Sequence, residues 1–89
     1  MKFTMLELKV WNFNGYDVYI FNGLNRQAIE AFWKRATYTS DDECVETAVL
    51  FNGCTGEELK RADIDMVEVQ KMENKGLMKC VKTVEYSFI

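Results

Sequence analysis

Asp63 and Asp65 lie two residues apart, and Glu68 follows three positions later. On a strand the two aspartates share a face. Two carboxylates whose pKa values are split by burial or mutual repulsion can run general acid–base chemistry. The same three acids offer oxygen to magnesium, which needs only one or two carboxylates plus water. Neither pattern is specific. The chain has no His, no Ser-Lys signal and no cofactor fingerprint beside these acids, and a solvated acidic face accounts for them more simply. The expectation is no catalytic residue, no metal and no cofactor, with an enzyme resting on Asp63, Asp65 and Glu68 ranked last.

Asn52-Gly53-Cys54-Thr55-Gly56 precedes a helix-start signal, where anions can bind. It lacks the lysine of a P-loop and is one glycine short of a dinucleotide fingerprint. Glu57 and Glu58 would repel phosphate, so the segment reads as a structural loop. The three cysteines, Cys44, Cys54 and Cys80, are odd in number and have no histidine for a zinc site. They read as buried, reduced thiols of a cytoplasmic protein. The run from Met1 to Glu7 has no apolar core long enough for a secretory signal, and no stretch is apolar enough to span a membrane.

Charge is uneven. Between Ser40 and Glu68 nine acids face two bases, leaving −7, whereas the other segments carry nine bases and five acids, leaving +4; the whole chain is at −3. Such an acidic middle speeds encounter with a basic partner. Its candidate contact residues are Asp41, Asp42, Glu43, Glu46, Asp63, Asp65 and Glu68. The net negative charge disfavours direct nucleic-acid binding, whose affinity comes largely from cations on phosphates, although clustered carboxylates can imitate a nucleic acid toward a basic protein groove. Trp11, Phe13 and Tyr16 complete the candidate set, because aromatic residues concentrate at binding hot spots. They are either covered by a helix or by Trp33, or exposed as an interface.

These residues must be held by one domain of 89 residues, whose 48% hydrophobic and 28% charged content suits a folded globule. Asn14-Gly15 between β-prone runs at 2–13 and 16–21 predicts a hairpin with a type I′ turn. The register it sets places Phe13 opposite Tyr16, Trp11 opposite Val18, Lys9 opposite Ile20 and Leu8 opposite Phe21. Leu6, Leu8, Val10, Tyr19 and Phe21 then share one face, and Trp11, Phe13, Tyr16, Val18 and Ile20 share the other. Asn25 caps a helix over 25–36, with Ala28, Ile29, Phe32, Trp33 and Ala36 on one stripe. Residues 40–52 carry both a capping box and β-type alternation at Val45, Thr47, Val49 and Phe51. The alternation favours a strand over 44–51.

The box Thr55-Gly56-Glu57-Glu58 predicts a short helix over 56–62. A second hairpin, 64–72 with 77–88, completes the order β-β-α-β-α-β-β. The fold class expected is α+β, a mostly antiparallel sheet of four or five strands with one main helix on one face.

The leading functional expectation is a non-enzymatic protein that inhibits or modulates a larger partner bearing a basic groove. It would do so through its acidic surface and hairpin aromatics, as an anti-defence protein of phage or mobile-element type would. The alternative is a homo-oligomer, a homodimer at its simplest, that binds a small nucleotide-like ligand between subunits.

Overall fold

The first turn does not fall at Asn14-Gly15. The computed structural model describes residues 5–37 and 45–86. In it, β1 (Leu6–Asn12) and β2 (Gly15–Phe21) pair with Asn12 opposite Gly15, Trp11 opposite Tyr16 and Lys9 opposite Val18. The loop is Phe13-Asn14, so each β1 residue meets a partner two positions from the expected one. Neither loop residue has a positive φ, which excludes the type I′ turn. The Asn12 side chain closes the loop instead: its Oδ1 accepts the backbone N–H groups of Asn14 at 2.8 Å and Gly15 at 3.0 Å. Gly15 is needed within the strand, because a Cβ there would run into the backbone carbonyl of Val84. A shift of two keeps every side chain on its expected face.

Helix α1 (Arg26–Thr37) begins as its signals predict, with Asn25 Oδ1 accepting the Ala28 N–H at 2.8 Å. Residues 45–52 settle as strand β3 (Val45–Asn52). It lies inside the sheet, so both of its faces need apolar residues: Ala48 and Leu50 on one, Val49 on the other, all buried.

The next two elements correct the expected order. Residues 56–62 are not a helix: 58–62 belong to strand β4 (Glu58–Asp65), and 66–74 form helix α2 (Met66–Asn74) rather than a strand. In the β3–β4 turn, Asn52 Oδ1 accepts from the Cys54 and Thr55 N–H groups at 2.8 and 3.3 Å, and Gly56 N–H donates to the Asn52 carbonyl at 2.7 Å. Thr55 Oγ1 takes the Glu57 N–H, so its hydroxyl serves the turn and no capping box forms. Pairing with β3 and burial of Ile64 outweigh the helical propensity of this stretch.

Helix α2 starts on Asp65, whose side chain accepts the Val67 N–H at 2.9 Å. It ends on Gly76 at φ 74°. There Leu77 N–H reaches the Met72 carbonyl and Gly76 N–H the Glu73 carbonyl, a Schellman closure. Val67 and Val69 alternate like a strand, but only Val69 is buried; Val67 is exposed.

Strand β5 (Met78–Glu85) completes an all-antiparallel five-stranded sheet in the order β4-β3-β1-β2-β5. The class is α+β, with the order β-β-α-β-β-α-β. Both helices lie on one face. Leu6, Leu8, Val10, Tyr19, Ala48, Leu50, Ile64 and Met78 meet Ile29, Phe32, Trp33 and Ala36 of α1 and Val69 and Met72 of α2 there. Phe21 meets Phe32 edge-on at 5.8 Å. Each large side chain buried this way contributes roughly 1.5–3 kcal/mol. Trp33 belongs to this core and does not cover the hairpin aromatics. Among the described residues, no helix is long and apolar enough to cross a membrane.

Candidate functional site

Alternation along the strands sends every second residue away from the helices, and the strand registers arrange these residues in rows across the sheet. The middle row runs Arg61, Val49, Lys9, Val18, Lys82. On one side of it lies Glu58, Phe51, Glu7, Ile20, Lys79. On the other, Asp63 pairs with Thr47, and Trp11 with Tyr16 and then Val84. No described element packs on this face. Val18 and Val49 are buried there by their neighbours alone.

The centre of the face is Lys9. Its Nζ lies 4.7 Å from the Tyr16 ring centroid and 5.5 Å from those of Trp11 and Phe51, within the range in which a ring's negative face attracts a cation. Trp11 and Tyr16 are a tilted cross-strand pair at 5.9 Å. The Arg61 guanidinium lies 5.5 Å from the Trp11 centroid and grips Glu58 through two bonds of 2.7 and 3.1 Å. That pairing lowers the Glu58 pKa and raises that of Arg61. Lys9, Trp11, Val49, Phe51, Glu58 and Arg61 line a depression of about 270 Å³. Its walls are aromatic and aliphatic and its rim is charged, the division seen at protein interfaces.

The predicted contact residues do not gather in one place. Trp11 and Tyr16 meet at the centre of the helix-free face. Phe13 is at the tip of the turn, 96% exposed. Asp63 lies on the same face near the edge, where it accepts the Thr47 hydroxyl at 2.9 Å. Asp65 shares that face and caps α2. Glu46 pairs with Ile64 and so lies on the helix side of β3. Glu68 also lies on that side, bridging Arg35 of α1 at 3.7 Å and Lys71 at 3.5 Å. Asp41, Asp42 and Glu43 lie outside the described residues, as does Cys44. Of the other thiols, Cys80 is half-buried, whereas Cys54 is exposed and not buried as expected, because it sits in the β3–β4 turn.

Lys9, Phe51 and Arg61 were not among the predicted residues. An apolar alternation interrupted by Glu7 and Lys9 was the available signal for Lys9. Its meeting with Phe51 depends on the long-range β1–β3 pairing, and Arg61 joins them through the β3–β4 pairing. Comparison with protein-family models, curated proteins and solved structures finds no match to the chain.

Proposed function

We propose that this chain is a non-enzymatic protein-binding module that modulates a larger partner by docking on it through the helix-free face of the sheet. One observation carries the reading: half-buried Trp11, Tyr16 and Phe51 surround Lys9 on a face that no described element covers. Aromatic anchors in a partly desolvated centre with a charged rim are the anatomy of an energetic hot spot. The carboxylates weighed for catalysis each have a structural partner: Thr47 for Asp63, the α2 amide for Asp65, and Arg35 with Lys71 for Glu68. Because the described acids divide between the two sides of the sheet, the aromatics support partner binding more strongly than the acids do. Half-buried Cys80, a free thiol, suits a reducing, cytoplasmic compartment.

The test is site-specific photo-crosslinking in the native host. A benzoylphenylalanine replaces Thr47 or Lys82 on the helix-free face, and Gln27 or Lys34 on α1. A protein adduct that forms from the first pair alone, and disappears when Trp11→Ala and Tyr16→Ala are added, is the expected result. Equal adducts from both sides would refute the assignment of the face.

A further inference from the structure

We infer that the helix-free face takes a protein segment presenting a carboxylate flanked by apolar side chains, with the carboxylate on Lys9 and the apolar groups on Trp11, Tyr16 and Phe51. This rests on the protein-binding reading and names the partner chemistry. The middle row of the face holds three cations, Arg61, Lys9 and Lys82, separated only by Val49 and Val18. Arg61 is neutralised by Glu58. Neither Lys9 nor Lys82 has a carboxylate within 4.0 Å among the described residues. Lys9 is half-buried, and three rings surround its ammonium. Rings attract the charge, but their hydrogen bonds are weak substitutes for those of water. A carboxylate accepting from Nζ would form a charge-assisted bond at a partly desolvated site, where such bonds are strongest.

The same geometry argues against a single-stranded nucleic acid as the occupant. Such a strand stacks its bases on open ring faces, but Lys9 and Arg61 already lie over Trp11. Glu7 and Glu58 in one neighbouring row and Asp63 in the other would oppose a continuous run of phosphates. A single carboxylate centred on Lys9 avoids them.

The test selects a random linear peptide library on the full chain, then compares each enriched peptide with its Asn or Gln counterpart. Enrichment of Asp or Glu beside apolar residues is expected. The acid form should bind about tenfold more tightly than the amide form, the usual magnitude of one charged hydrogen bond. Lys9→Met should erase that difference, so that the acid and amide forms bind alike, and Lys9→Arg should restore it. An unchanged amide spectrum of each variant verifies the fold. Equal binding of acid and amide forms, an acid preference that survives Lys9→Met, or tighter binding of an oligothymidylate would overturn the inference. If the crosslinks of the preceding section persist while no acidic peptide is selected, the carboxylate assignment fails and the docking face stands. If both are lost, the face itself is wrong.

Discussion

Strand β1 presents two different surfaces from one backbone. Leu6, Leu8 and Val10 point to the helices and are almost fully buried; Glu7, Lys9 and Trp11 point away and are half-buried. The first side is held by volume, because α1 and α2 fill the space above it. The second is held by lateral neighbours within the sheet, through ring pairs, a shared cation and β-branched contacts. A surface of the first kind mainly stabilises. A surface of the second kind is ordered before any partner arrives, which lowers the entropic cost of binding.

Substitutions on the two sides should therefore separate stability from binding. The largest loss is expected for Phe32→Ala, since Phe32 is fully buried on the helix side; about 3–5 kcal/mol should disappear in urea unfolding. Trp11→Ala should cost only about 1 kcal/mol of stability while abolishing the crosslinks to a partner. If Trp11→Ala unfolds the protein as Phe32→Ala does, the contrast between the faces collapses.

Gly15→Ala comes next. The added methyl meets the Val84 carbonyl, so β2 and β5 must separate locally, with a loss of about 2–3 kcal/mol and early amide exchange along β5. Full protection of β5 in that variant would contradict the close approach.

A smaller effect, about 1 kcal/mol, is expected when Asp65→Ala removes the α2 N-cap. Asp65→Asn should recover most of it, because the amide oxygen still accepts the Val67 N–H. Equal losses from both variants would show that the negative charge matters more than the cap.

The mildest test uses pH. Burial, with help from the charges of Glu73, Asp17 and Cys80, raises the Tyr19 pKa from 10.0 to about 12. The folded state therefore keeps the phenol proton longer than the unfolded state does. Its contribution is complete below pH 10 and is lost as pH climbs from 10 toward 12. Urea unfolding across that range should show the decline, and Tyr19→Phe should remove its share. A decline identical in both proteins would assign it to other groups.

Local chemistry made much of the helix side legible in the sequence. Asn25 marks the α1 start, the stripe from Ile29 to Ala36 marks its inward face, and β-branched alternation marks β3. The binding face was only partly legible. Trp11 and Tyr16 were visible as aromatics near a turn, but Phe51 and Arg61 arrive through pairings across the sheet that no local pattern encodes. Two local signals also misled. Asn14-Gly15 looked like the loop, yet the Asn12 side chain closed a turn one residue earlier. Thr55 to Glu58 looked like a helix start, yet β3 needed a partner, and β4 supplies one whose charged Glu58, Lys60, Arg61 and Asp63 discourage further strands from adding at the edge. Val67 and Val69 imitated a strand in the same way until Asp65 and Gly76 are seen as the two caps of a short helix.

The place of β2 between β1 and β5 sets a timetable for synthesis. Its outer edge pairs with the last strand, Gly15 with Glu85 and Phe21 with Met78, so it waits on a ribosome making roughly 5–20 residues per second. For several seconds the nascent chain presents an open strand carrying Tyr19, Ile20 and Phe21. Crowding by sister chains on the same message is then the main hazard, and yield in cells should depend on translation rate and on chaperones that shield that edge.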